Sequence, residues 1–259
     1  MSNNNPYQNN NYNNVYGGYT QNEYNFDEPY DATQRSVLDL NGVLVKAFAF
    51  MCIALIVTAG VAMYVASNPD YVRTLYIQNT HMLFIIILCE FAMVFLTQYA
   101  VRQKKLVLSF IGFFGYSIFT GITLSWVFII YDIGSISNAF FVTAALFLLM
   151  AAYGLITKRD MDSIGDYAIM ALLGIILASF MNSFIFHSSQ AEWLISVITV
   201  VIFVCLTAYD TWKIKRMQAI CDGDSNTTNV IAVYGAMELY LDFINIFLRI
   251  LRLLGRARD

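Results

Sequence analysis

The chain has 259 residues, of which 58% are hydrophobic and only 13% charged, against about 25% charged and 45–50% apolar in a typical soluble domain. A mean hydropathy of +0.58 excludes an ordinary cytosolic enzyme and marks a polytopic membrane protein, whose first partner is the lipid bilayer. A net charge of −3 leaves no concentrated basic face, which excludes nucleic acid as a partner.

Residues 1–41 are rich in Asn and Tyr and nearly free of aliphatic side chains. Such a stretch cannot bury enough apolar surface to offset the entropy of ordering, so it reads as a disordered tail. Apolar runs follow at 42–66, 82–100, 106–131, 136–156, 167–186, 194–211 and 230–254. Roughly 20 apolar residues cross a hydrocarbon core of about 30 Å, so the first six are membrane spans by length. The seventh carries Glu238, Asp242 and Arg249. Together they predict an all-α transmembrane domain over 42–255, followed by a short basic end at 256–259. Pro6, Pro29 and Pro69 all lie outside the spans, so helices broken by proline are not expected. Gly112, Gly115, Ser117 and Gly121 in the third span predict close helix packing. Cys52, Cys89, Cys205 and Cys221 show no CxxC or Cys/His spacing, and no resident metal or other cofactor is implied.

Basic residues set the orientation. Arg102, Lys104 and Lys105 separate spans two and three, Lys158 and Arg159 spans four and five, and Lys213, Lys215 and Arg216 spans six and seven. The alternate loops carry only Arg73. These three basic loops, and with them the N-terminus, are therefore expected to be cytoplasmic. Arg249, Arg252, Arg256 and Arg258 then fall on the outer side if segment seven crosses completely. Either the first six spans fix the topology regardless, or segment seven dips in and returns.

Ionisable residues inside spans are costly and are functional candidates by default. Here they are Glu90, Asp210, Glu238, Asp242 and Arg249. Tyr234, Glu238, Asp242, Asn245, Arg249, Arg252 and Arg256 recur at spacings of four and three, which places them on one helical face. Such a stripe must face the bundle interior or a watery path, or else the helix lies at the interface. His81 and His187 fall in outward loops, which leaves carboxylates as the better pH sensors.

The run Ala-Tyr-Asp-Thr-Trp-Lys-Ile-Lys at 208–215, followed by Glu-Leu-Tyr-Leu-Asp-Phe-Ile-Asn-Ile-Phe at 238–247 and Leu-Arg-Leu-Leu-Gly at 251–255, resembles the Bax inhibitor-1 family in its bacterial form. The resemblance implies a seven-helix bundle whose last helix is surrounded by the other six. It further implies that Asp210 and Asp242 form a hydrogen-bonded, pH-sensing pair onto which a basic residue at the end of helix two, here Arg102, latches. A pH-dependent calcium leak channel in the cell membrane is the function it suggests. The sequence departs from the usual pattern at Trp212 and adds Arg249 to the stripe.

Physical chemistry supports that expectation. Two carboxyl groups in contact in a poorly hydrated site cannot both ionise cheaply, and one proton is shared. Full ionisation exposes hard oxygens suited to calcium, from Asp210 and Asp242 with Glu238 and Asn245 nearby. Glu90 and Tyr209 are further candidates, and no catalytic residue is assigned. Two other readings compete. One is a non-conducting regulator that binds other membrane proteins. The other is an intramembrane aspartyl protease, although its Gly-x-Gly-Asp and Pro-Ala-Leu elements are missing. A question of depth remains: Asp242 lies twelve residues after the start of its run, roughly 18 Å along a helix, whereas Asp210 is about one turn from the end of its own.

Overall fold

The computed structural model describes residues 42–73, 76, 80–220 and 225–256, within a single unit spanning 37–259. The Asn/Tyr-rich stretch 1–41, and the reading of it as a disordered tail, lies outside the described residues, as do Cys221 and 257–259. Among the described residues all regular structure is helical: α1 (Val43–Ala66), the short α2 (Pro69–Val72), α3 (Thr80–Arg102), α4 (Leu106–Ile130), α5 (Ile133–Ile156), α6 (Asp162–Met181), α7 (Ser189–Ile220) and α8 (Ser225–Leu254). A π-helical turn, Asn182–Phe186, extends α6. All but α2 are long and apolar enough to cross a membrane. The chain is a multi-pass membrane protein.

The seven spans are not equivalent. Two-thirds of the central window of α8 is buried, against 6% in α6 and 11% in α3. α8 packs against α1, α3, α4, α5 and α7, while α6 joins the bundle chiefly through α7. The last helix is therefore central, as the resemblance implies, but its surround is built mainly from five helices. The peripheral helices turn large side chains outward, such as Phe84, Leu88 and Phe95 on α3 and Leu173, Leu177 and Phe180 on α6. In a bilayer that surface meets lipid tails as apolar as itself.

Small residues set the close contacts, because apolar area alone does not drive helices together in lipid. A Cβ added at Gly112 would strike Thr97 of α3, and one at Gly121 would lie 2.8 Å from the Thr58 carbonyl of α1. The Thr58 hydroxyl is shared between the Ser117 carbonyl at 2.9 Å and the Tyr240 hydroxyl at 2.7 Å, which ties α1, α4 and α8 at mid-bundle.

α8 is one continuous helix from end to end of the bundle, which excludes a segment that dips in and returns. At its start, Asn226 Nδ2 donates to the Lys104 carbonyl at 3.1 Å, and Lys46 Nζ donates to Asn229 Oδ1 at 2.9 Å. At the opposite end Arg252 Nη1 pairs with Glu192 Oε1 at 2.5 Å, and the Arg256 amide donates to Ser135 Oγ at 3.0 Å. The first end carries the basic loops: Arg216 pairs there with Asp162 at 3.0 Å, and Lys215 Nζ donates to the Leu155 carbonyl at 2.6 Å.

Candidate functional site

α7 and α8 form an antiparallel hairpin whose close approach depends on Gly235. A Cβ there would meet Ile214 Cδ1 of α7 at 2.7 Å. This contact sets the register, so that residues around 210–214 of α7 stand beside residues around 234–242 of α8. It also answers the question of depth. α7 continues nine residues beyond Thr211, to Ile220, and α8 starts five residues before Val230. Both helices project past the apolar runs, and the two aspartates meet on the same level.

The Asp210 and Asp242 carboxyls lie within hydrogen-bonding reach of one another. Both residues are buried, at 8% and 3% exposure. The Thr207 hydroxyl, one turn before Asp210, is also within reach of Asp242, and it can donate to the Phe203 carbonyl at 2.8 Å. Asp242 Oδ2 is buried with no hydrogen-bond partner. A hydrogen bond between the two carboxyls requires that one of them carry a proton.

A second carboxylate neighbourhood borders the pair. Lys213 Nζ donates to the Tyr234 hydroxyl at 2.7 Å and meets both oxygens of Glu238 at 3.3 and 3.2 Å. Tyr234 in turn donates to Glu238. The Lys213 ammonium also stands 5.7 Å from the Tyr209 ring centroid and 5.1 Å from that of Tyr234, within cation–π range. Tyr209 stacks on Trp212, and the Arg216 guanidinium lies 5.3 Å from the Trp212 ring centroid. The site thus brings together three acids, Asp210, Asp242 and Glu238, with one lysine.

Lys213 is the cation that this cluster holds, bonded to Tyr234 and Glu238; the resemblance assigns a cation at the pair to Arg102. Arg102 ends α3 and is exposed, and none of the three ion pairs among the described residues includes it. Positive-inside counting treats Lys213 as a loop marker. Its position three residues after Asp210, on the same face of a continuing helix, is the signal that would have found it. Glu90 serves a different neighbourhood, accepting a hydrogen bond from Thr123 across the contact of α3 with α4. Asn245 donates to the Leu241 carbonyl at 2.8 Å, and with Arg249 and Arg252 it lines a cavity of about 560 Å³ at the far end of α8. Along the polar stripe Asp242 is buried, Tyr234, Glu238, Asn245 and Arg249 are half-buried, and Arg252 and Arg256 are exposed, with acids towards the end of the basic loops and arginines towards the other. Among the described residues no three His, Cys, Asp or Glu side chains converge as a metal-ligand set.

The family model described as "Inhibitor of apoptosis-promoting Bax1" matches residues 40–259. The chain is 39% identical over 220 residues to the inner membrane protein YbhL of Escherichia coli K12, covering 85% of this chain and 93% of that one. It is 40% identical over 231 residues to an uncharacterised protein of Borreliella burgdorferi, covering 88% and 99%. An uncharacterised membrane protein of Streptococcus pyogenes is 40% identical over a shorter stretch of 141 residues, 54% of this chain and 60% of the relative. With its hairpin motif, its seven spans and these matches in agreement, the chain belongs to the Bax inhibitor-1 family.

Proposed function

We propose that the chain is a pH-dependent leak channel for cations, calcium above all, in which a proton shared by Asp210 and Asp242 holds the path closed at the end of the basic loops. The observation that carries this reading is the approach of two buried carboxyls, Asp210 and Asp242, the second of which has an oxygen without a hydrogen-bond partner. One proton between the two groups supplies the missing hydrogen bond and ties α7 to α8. Loss of that proton replaces the tie with repulsion between two poorly hydrated charges. It also leaves the oxygens of Asp210 and Asp242 available to calcium, a hard cation that favours carboxylate ligands. With the basic loops inside, the tie stands at the cytoplasmic end. Lys213 is the cation that neutralises part of this cluster while the pair is intact.

The test is calcium release from loaded liposomes containing the purified chain, measured from mildly acidic to mildly alkaline pH. Wild type is expected to leak in a pH-dependent manner, and Asp210→Asn and Asp242→Asn each to displace that dependence. No release above empty liposomes at any pH would sink the channel and leave a non-conducting regulator of other membrane proteins. Cleavage of a membrane-embedded peptide, abolished by either substitution, would instead identify a protease.

A further inference from the structure

The end of the bundle remote from the aspartate pair holds polar groups of the opposite sign. The cavity of about 560 Å³ there is lined by the end of α4, the end of α6 with its π-helical turn, the start of α7 and the last turns of α8. Part of its polar lining is already engaged. Arg252 is paired with Glu192 at 2.5 Å. The Asn182 side chain clasps Ser188, donating to its carbonyl at 3.2 Å and accepting from its amide at 3.1 Å.

Two further lining groups bear directly on what the cavity could hold. The Ser179 hydroxyl oxygen is buried without a hydrogen-bond partner. Arg249 is half-buried and belongs to none of the ion pairs among the described residues. Glu192 acts on it only at a distance, being bonded to Arg252. A guanidinium offers five donors in a planar fork and never gives up its charge. Such a group, withdrawn from bulk solvent and left without an acceptor, is costly unless something supplies one. The lining holds two arginines against one glutamate, with His187 at the same mouth.

We infer that this cavity binds an oxyanion, a carboxylate or phosphate group, with Arg249 as its anchor and the Ser179 hydroxyl as a second donor. Guanidinium pairs with both groups through two parallel hydrogen bonds. The volume falls within the roughly 300–1,000 Å³ usual for ligand pockets and exceeds the needs of a bare ion, so it suits an organic acid or the headgroup of a phospholipid. The site does not depend on conduction, because its charge is opposite to that of a vestibule built to collect cations.

The experiment uses the full chain in nanodiscs of phosphatidylcholine, with its thermal midpoint followed as inorganic phosphate or acetate is added against a chloride control of equal ionic strength. A parallel arm replaces part of the lipid by phosphatidylglycerol and measures lipid retention by native mass spectrometry. A saturable rise with phosphate or acetate in wild type, weakened about tenfold or more in Arg249→Gln, supports a dissolved oxyanion. Retention of phosphatidylglycerol by wild type but not by Arg249→Gln supports a lipid phosphate. Arg249→Lys, which keeps the charge without the fork, should retain part of either response, and Ser179→Ala should weaken it a few-fold. Arg249 has no internal partner to lose, so Arg249→Gln is expected to fold. Neither response in wild type, or an equal response in Arg249→Gln, overturns the inference. Both arms read binding without flux, so the outcome is separable from that of the liposome test.

Discussion

Lys213 reaches from α7 to a tyrosine and a glutamate of α8, and its removal should be felt through the partner left behind. Lys213→Met leaves Glu238 with Tyr234 alone, beside two aspartates. The expected cost is about 1–3 kcal/mol, read as a fall in thermal midpoint in mild detergent. Lys213→Met combined with Glu238→Gln should recover most of it, since the stranded charge is then gone. A second residue-scale effect lies outside the spans. Asp132 caps α5, accepting from the Ser135 amide at 3.0 Å and the Ser135 hydroxyl at 2.5 Å. The Ser135 hydroxyl and amide hold its carboxyl below the ordinary carboxylate range. A lowered value means stability that is present above that range and lost as pH falls through the lowered value. Asp132→Ala should therefore lower the thermal midpoint at neutral pH, and the difference from wild type should shrink as the solution is acidified below the carboxylate range. A difference that stays constant with pH would show that the cap works without its charge.

Helix contacts are where packing can be tested cleanly. Gly154 of α5 lies so close to α7 that a Cβ would strike the Ala208 carbonyl, whereas Gly174 of α6 has nothing within 4 Å. Gly154→Leu should push α5 from α7 beside the aspartate pair and destabilise by about 1–3 kcal/mol. Gly174→Ala should be neutral or stabilise by about 0.4–1 kcal/mol through the unfolded chain. Unfolding of both variants in detergent measures the contrast. At this scale the sequence was readable to the extent that lipid solvation leaves a trace. The runs at 42–66 and 106–131 match α1 and α4 within a residue. The run at 194–211 falls well short of α7, because Lys213, Lys215, Arg216 and Gln218 continue the helix beyond the hydrocarbon. Hydropathy reports what solvates a helix, not where its hydrogen bonds stop. The aspartate pair was legible through the motifs that flank it. Lys213 was not, since a cation near a span end has the same composition whether it faces water or a buried acid. The cavity at Arg249 was equally hidden, because its lining is gathered from the ends of α4, α6, α7 and α8.

Seven complete passages put the two ends of the bundle on opposite sides, with the basic loops on one side and Arg249, Arg252 and Arg256 on the other. We propose, from positive-inside weighting, that the loop side is cytoplasmic. Alkaline phosphatase fused after the last helix should then be active in a bacterial host, and a fluorescent protein fused at the N-terminus should fold and glow. The reverse pattern would invert the molecule and place the aspartate pair at the outer end. The central position of α8 carries a consequence for assembly. It is the most enclosed helix and also the one synthesised after the other six. Its acids and arginine would be poorly tolerated facing lipid alone, so it can enter stably only where a cradle of earlier helices already waits. Until then the bundle is a shell around a vacancy, and a chain cut before Ser225 should be a target for quality-control proteolysis rather than a smaller working protein. The final helix would thus act as the step that certifies a finished molecule.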